Sequence, residues 1–322
     1  MSPSSILDCI GGTPLVPLER VARGLAAPVL AKCEHLNPGG SVKDRIALAI
    51  VDDAERRGAI QPGGTLIEAT AGNTGIGLAL VAAVRGYKLV CVMPEKMSED
   101  KRSALRALGA DVIITKNAPP SDPDNFQNVA RRLAGERGYF LTDQFRNAAN
   151  ARAHEEGTGP EILKQTGGKI GAFVAGAGTG GTISGVGRFL KARVPGVRIV
   201  LADPVGSRIA GLVRDGVLGK DGSYQVEGIG SSEPPEVLDI GVIDEAIEVS
   251  DEESFAMARR LMREEGLLVG GSAGTAVAAA LQIAARAARP DPVVVLLPDG
   301  WDRYRSKPWM QSFSEVVRAP ST

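Results

Sequence analysis

The stretch Asn37-Pro38-Gly39-Gly40-Ser41-Val42-Lys43-Asp44-Arg45 decides how the chain is read. A strand-like apolar run at residues 29–33 leads into it, and a run at 46–54 with apolar residues at helical spacing leaves it. Lys43 is therefore placed in the first turn of a helix. An ammonium group near the positive end of a helix dipole, with Arg45 close in sequence, has its charged form disfavoured. A neutral lysine amine is what Schiff-base chemistry needs. Taken alone, the nonamer fits a solvated helix-start lysine equally well, and the rest of the chain has to decide.

Working outward, the composition narrows the function classes. The 322 residues suffice for two lobes and a sizeable core. A net charge of -1 suggests neither a nucleic-acid footprint nor a polybasic membrane patch. No apolar run reaches transmembrane length, and the start Met1-Ser2-Pro3-Ser4-Ser5 lacks the basic-then-apolar order of a signal peptide. Cys9, Cys33 and Cys91 are widely spaced and odd in number, so they read as reduced core residues, and the expected compartment is the cytoplasm. His35 and His154 are too few and too isolated for a histidine metal site or a Ser-His-Asp triad. Glycine, at 40 residues, exceeds the average of about 7% and clusters in loops between strands and helices. That clustering sets backbone, rather than side chains, against a ligand.

Strand-like runs at 65–68, 89–93, 111–115, 139–142, 172–175, 197–202, 246–249 and 292–297 follow the first one at 29–33. Amphipathic helices are expected between most of them, at 75–84, 99–108, 126–136, 181–191, 251–265 and 275–288. This alternation argues for parallel sheets covered by helices. Two glycine-rich loops stand at strand-to-helix junctions. One is Glu68-Ala69-Thr70-Ala71-Gly72-Asn73-Thr74-Gly75-Ile76-Gly77, the other Ala175-Gly176-Ala177-Gly178-Thr179-Gly180-Gly181-Thr182. Both would turn backbone N–H groups and hydroxyls toward an anion at a helix N-terminus. No P-loop pattern is present. Gly176 to Gly181 does match the dinucleotide pattern Gly-x-Gly-x-x-Gly, with Asp203 near the place of its ribose-binding acid, so a dinucleotide module stays open at this point.

Six segments together carry a resemblance: 37–45, 70–77, 178–182, Glu227-Gly228-Ile229-Gly230, 270–274 and Leu297-Pro298-Asp299. In their order and spacing the chain resembles the cysteine synthase/cystathionine β-synthase family from about residue 6 to residue 310. The resemblance implies pyridoxal 5′-phosphate on a two-lobed α/β scaffold of fold type II, the tryptophan synthase β-like class, each lobe a mostly parallel sheet flanked by helices. It implies a smaller, mobile substrate-loop lobe at 36–145 and a larger phosphate-binding lobe from 1–35 plus 146–322. A homodimer is expected, acting on a small amino-acid substrate and sulfide or a thiol, with neither nucleic acid nor membrane as partner.

Carried over residue by residue, the resemblance makes Lys43 the lysine that holds the cofactor as an internal aldimine and then removes the α-proton. Gly178, Thr179, Gly180, Gly181 and Thr182 become the phosphate cradle, Asn73 a partner of the pyridine 3′-oxygen, and Ser272 the hydroxyl opposite the pyridine nitrogen. Thr70, Ala71, Gly72, Asn73, Thr74 and Gln144 fall in the substrate-carboxylate region, and Gly228 in the segment facing the ring and the nucleophile. The implied reaction is β-replacement, in which the cofactor supplies the electron sink and the protein the geometry and proton transfer.

Segments such as 41–47, 74–80 and 266–274 resemble cystathionine β-synthases more closely. Phe145 and Ser231, however, stand where those enzymes usually carry tyrosines, and Phe145 is the usual cysteine synthase residue. The expected reaction is therefore O-acetylserine or O-phosphoserine plus sulfide to L-cysteine. The alternatives are serine or O-acetylserine plus homocysteine, a β-eliminating lyase such as a serine dehydratase, and a cofactor-binding pseudo-enzyme. No regulatory C-terminal module or N-terminal heme segment is expected. Lys96, Lys101 and Arg102 read as solvated helix charges, His154 as a cap or packing residue, and Trp301 and Trp309 as rings that pin the C-terminal segment or meet a second subunit.

The family usually has serine at Ala71, so the carboxylate loop lacks one hydroxyl. Restoring it with Ala71→Ser is expected to lower KM for the amino-acid substrate by roughly tenfold, the worth of one hydrogen bond to a charged group. Equal Michaelis constants would contradict this.

Overall fold

Strands apolar on both faces have to be covered on both faces, and this requirement shapes the molecule. The structure, a computed structural model, describes residues 3–311 apart from Ala71, Lys96, Ser98 and Pro120. Ala71, expected in the substrate-carboxylate region, and Lys96 therefore lie outside the described residues. In chain order the strands are β1 (Leu15–Pro17), β2 (Val29–Cys33), β3 (Thr65–Ala69), β4 (Lys88–Pro94), β5 (Asp111–Thr115), β6 (Phe140–Leu141), β7 (Ala172–Ala175), β8 (Arg198–Pro204), β9 (Glu245–Val249) and β10 (Val293–Leu297). The helices are α1 (Lys43–Arg56), α2 (Asn73–Arg85), α3 (Glu99–Ala107), α4 (Phe126–Arg137), α5 (Ala149–Ala153), α6 (Gly159–Gln165), α7 (Gly181–Lys191), α8 (Ile209–Asp215), α9 (Asp251–Arg260), α10 (Gly271–Ala285) and α11 (Pro308–Gln311).

Two sheets result, one of six strands in the order β1-β2-β10-β7-β8-β9 and one of four in the order β5-β4-β3-β6. All pairings are parallel except β1 with β2. Every residue of β7 and β10 is buried. Along β10, Val293, Val295 and Leu297 enter the core shared with α10, while Val294 and Leu296 enter the opposite core with Ile183, Val186 and Leu190 of α7. The four-stranded sheet is likewise packed on both faces, against α1 and α2 on one and α4 on the other.

Several elements differ from expectation. Short β1 carries proline at its end, and α8 spans only 7 residues, so neither gives a periodic signal. The glycines and proline at 157–160 hide a helical run in which α5 passes through a π turn, His154–Thr158, into α6. The helix expected at 251–265 stops being α-helical at Arg260, continues as a π turn over Leu261–Glu265, and ends at Gly266 with φ 71°. Cys33 and Cys91 are buried, but Cys9 is exposed, because its short helical turn near the N-terminus lies on the surface. Trp309 does pin the chain end, stacking on Phe255 of α9 with centroids 5.0 Å apart.

The packing of α10 on α9 depends on Gly274. An added Cβ there would lie 1.9 Å from the Ser254 carbonyl oxygen and 2.7 Å from the Ala258 nitrogen. Gly135, inside α4, has nothing within 4 Å of that position. Gly274→Ala is therefore expected to destabilise by about 2 kcal/mol despite the better helix propensity of alanine. Gly135→Ala should stabilise by about 0.5–1 kcal/mol. Urea unfolding of both variants checks the pair, and equal midpoints would contradict the packing account.

Candidate active site

The residues after β10 set the position of Lys43. Val42 donates its N–H to the Pro298 carbonyl at 2.8 Å, Ser41 and Asp299 form an antiparallel bridge, and Gly300 donates to the Gly40 carbonyl at 3.3 Å. Arg303 closes the turn from outside, donating to the Gly40 carbonyl at 3.1 Å and to that of Gly39. Gly40 has φ 78°, a left-handed conformation that a side chain would strain. The chain leaves this clamp directly into α1, with Lys43 as its first residue.

Burial holds the Lys43 amine below the usual lysine range, and the charge of Asp299 works against that shift. Arg45 is not the agent expected from sequence. Its guanidinium is taken up by Glu34, at 2.7 and 2.9 Å, and by Glu161, at 2.8 and 2.7 Å, and Lys32 joins Glu161 at 2.6 Å. Desolvation raises the Glu161 carboxyl, but the hydrogen bonds and charge of Arg45, with the hydrogen bonds of Lys32 and the Gly12 N–H, together outweigh it and hold Glu161 down at about 2. This buried cluster anchors the first turns of α1 from below and leaves desolvation to act on Lys43.

Lys43 lines a cavity together with Gly178, Thr179, Gly180, Thr182, Gly228 and Ser272. Gly181 opens α7 beside them, and Ser272 is the second residue of α10. Gly180, with φ 82°, caps α7 without a side-chain hydrogen bond, so the first amides of the helix are left for an anion. Side chains would close this loop. A Cβ at Gly178 would lie 2.2 Å from the Gly228 carbonyl, and one at Gly181 would lie 1.9 Å from Asn150 Oδ1. A buried lysine, an uncapped helix start in a glycine cradle and a hydroxyl in one cavity are the donor set that an aldehyde, a phosphate and a ring nitrogen require, so pyridoxal phosphate fits. The cavity is narrow, about 30 Å³, and shares Gly228 and Ile229 with a cleft of about 890 Å³.

Gly72 and Asn73 line that cleft. Asn73 donates from Nδ2 to Asp299 Oδ2 at 2.8 Å, and its Oδ1 has no hydrogen-bond partner. Thr70 accepts from the Gly72 N–H at 3.3 Å, and Thr74 donates to Gln144 Oε1 at 2.6 Å. Thr70, Thr74 and Gln144 are buried and line neither the Lys43 cavity nor the cleft. Buried Glu68 holds Gln144 and Thr142, and desolvation pushes its carboxyl up to about 7.

Other placements depart from the sequence reading. Lys101 is not a solvated charge: it crosses the cleft to Glu227, which also binds Lys307. Arg102 donates to the Glu95 carbonyl and pairs with Glu99 at 3.3 Å. His154 is buried against the phosphate-loop side, with Nε2 3.2 Å from Thr182 Oγ1 and Nδ1 2.9 Å from Thr158 Oγ1. Its pKa lies well below the usual histidine value through burial, then through Arg45 and Lys43. Phe145 and Ser231 line a second cleft together with Arg131 and Arg208, and Lys43 is not among the residues that line it. Asp203 is buried and accepts the Ala210 N–H at 2.8 Å, a structural role that removes it as a ribose-binding acid. Spacing alone signalled none of these long-range contacts. Asp299 was visible only as part of a motif.

Comparison with known proteins agrees with this arrangement. The family described as pyridoxal-phosphate dependent enzyme matches residues 6–299. The chain is 48% identical over 306 residues to cystathionine beta-synthase of Rattus norvegicus, covering 94% of this chain and 54% of the relative. It thus spans about half the length of that protein. Cysteine synthase of Staphylococcus aureus is 44% identical over 312 residues, covering 97% of this chain and 98% of the relative. Among solved structures, O-ureido-L-serine synthase superposes with a TM-score of 0.91 at 40% identity, covering 98% of this chain and 97% of that one. Among the described residues no helix is long and apolar enough to cross a membrane, and no group of three or more His, Cys, Asp or Glu is placed to hold a metal. The chain belongs to the family of pyridoxal-phosphate-dependent enzymes of fold type II.

Proposed function

We propose that the chain catalyses β-replacement on an activated serine, O-acetylserine or O-phosphoserine, with sulfide as nucleophile and L-cysteine as product. The observation that carries the β-replacement reading is the convergence of Lys43, the uncapped start of α7 and Ser272 on one cavity. Similarity to a cysteine synthase over nearly the whole of both chains supports sulfide as the nucleophile. Pyridoxal phosphate, when bound, supplies the electron sink that lets a proton leave Cα. The residues of the chain do the rest. The amides of Gly178 to Thr182 hold the phosphate, and Ser272 faces the ring nitrogen with a hydroxyl instead of a carboxylate. Lys43, its amine held below the usual lysine range by burial, would hold the cofactor through Nζ and accept the α-proton at that atom. Asn73 orients the ring, and the loop from Thr70 to Thr74, backed by Gln144, receives the substrate carboxylate. Residues 36–145 form the lobe that closes on substrate, with the Lys101–Glu227 ion pair spanning the cleft it would narrow.

One observation favours a second nucleophile. The cleft of about 890 Å³ is far larger than sulfide requires, and it carries charges of both signs in Lys101, Glu227, Arg303 and Arg305. An amino-acid thiol such as homocysteine, with its own ammonium and carboxylate, fits those charges, which would give the cystathionine-forming reaction.

Steady-state assays separate the two. With O-acetyl-L-serine and sulfide the enzyme is expected to form cysteine, and Lys43→Ala to lower kcat by roughly 10³-fold, within the range for loss of a positioned base. Turnover confined to serine plus homocysteine would transfer the assignment to the second reading.

A further inference from the structure

Asp299 is a buried acid beside the proposed catalytic lysine and takes no part in the proposed steps. It follows β10 directly and is 2% exposed. Its Oδ2 accepts from Asn73 Nδ2 at 2.8 Å and from the Tyr304 hydroxyl at 2.6 Å, while Oδ1 has no hydrogen-bond partner. The carboxylate occupies the space left by Gly270, where an added Cβ would lie 2.3 Å from Oδ1. Its backbone bridges Ser41, two residues before Lys43. One side chain thus adjoins the lysine loop, the loop of Asn73 and the start of the helix that carries Ser272.

The charged and titratable groups facing it are few. Lys43 on α1 and Arg303 on the turn Trp301–Tyr304 are cationic, and Tyr304 on the same turn is a donor; α2 and α10 contribute only neutral groups. A carboxylate stripped of water is retained at a cost unless its charge is used. Here one oxygen is left unbonded within reach of the Lys43 field. Burial raises the Asp299 carboxyl above the usual range, and the hydrogen bonds from Tyr304 and Asn73 and the charges of Arg303 and Lys43 oppose that shift. In its ionised form it can only accept, which turns Nδ2 of Asn73 toward it and leaves the second Nδ2 hydrogen to donate elsewhere.

We propose that Asp299 is a positioning residue of the pyridoxal-phosphate site, orienting the amide of Asn73 and acting as the counter-charge that sets the protonation of Lys43. The inference rests on the reading of Lys43 as the cofactor-binding lysine. It is tested on the full-length protein freed of cofactor, by following the rate at which added pyridoxal phosphate develops its visible absorption band across a range of pH. Free Lys43 must lose its proton to react, so the midpoint of this profile reports its pKa. Loss of a neighbouring negative charge favours the neutral amine, and Asp299→Asn is expected to lower the midpoint by about one pH unit. A correctly melting Asp299→Asn protein with the wild-type midpoint would overturn the proposal. Should that variant not fold, Tyr304→Phe decides, since it removes one of the two hydrogen bonds to the same oxygen and leaves the carboxylate. Because the carboxylate keeps its charge and loses the shielding of the phenol hydrogen bond, a raised midpoint supports the proposal, and an unchanged or lowered midpoint overturns it. The underlying reading fails separately, if Lys43→Ala develops the same band as the wild type.

Discussion

The loop that delivers Lys43 is held by the end of a strand more than 250 residues away in sequence, and the site depends on that contact. Pro298 and Gly300 bond the loop backbone on either side of Asp299, and Arg303 ties down the two glycines that turn it. A flexible lysine side chain would be in water if its loop were free, because an exposed ammonium is better solvated than any buried one. Fixing the backbone between β10 and α1 removes that option. The amine then loses its hydration, and desolvation alone makes its neutral form accessible.

The same logic explains why charge is abundant beneath the site and scarce within it. Lys32, Glu34, Arg45 and Glu161 satisfy one another in a compact cluster, so none of them is left to neutralise an anion or pair with Lys43. The Gly178–Thr182 side of the cavity instead offers backbone amides at an uncapped helix start, with His154 and Asn150 holding Thr182 and Thr179 from behind. Asn150 also donates to the Gln144 carbonyl at 2.7 Å, which ties the Gly178–Thr182 loop to the region expected to bind the substrate carboxylate.

Much of this was legible in the residues. The order of strands and helices, the buried character of the runs that became β4, β8 and β10, and the joining of Lys43, Gly178, Thr182 and Ser272 follow from local pattern and from a set of ordered motifs. Contacts that depend on tertiary geometry were not legible. Lys101 sits on a helix whose sequence reads as exposed, yet Glu227 reaches it from the other side of the cleft. Arg45 lies two residues from Lys43, yet helical rotation turns it toward Glu34 and Glu161. Phe145 and Ser231 are far apart in sequence, yet the fold brings them to one cleft with Arg131 and Arg208. Short elements such as β1 and the interrupted run from α5 to α6 lacked periodicity long enough to be read.

The central claim is that Lys43 is the residue that takes up pyridoxal phosphate. Borohydride reduction of the cofactor-loaded protein, followed by proteolysis and mass spectrometry of the peptides, tests it directly, because reduction makes a lysine–cofactor bond permanent. The account predicts a single modified peptide with the cofactor mass on Lys43. Modification of a different lysine, or a loaded protein that yields no modified peptide, would contradict it.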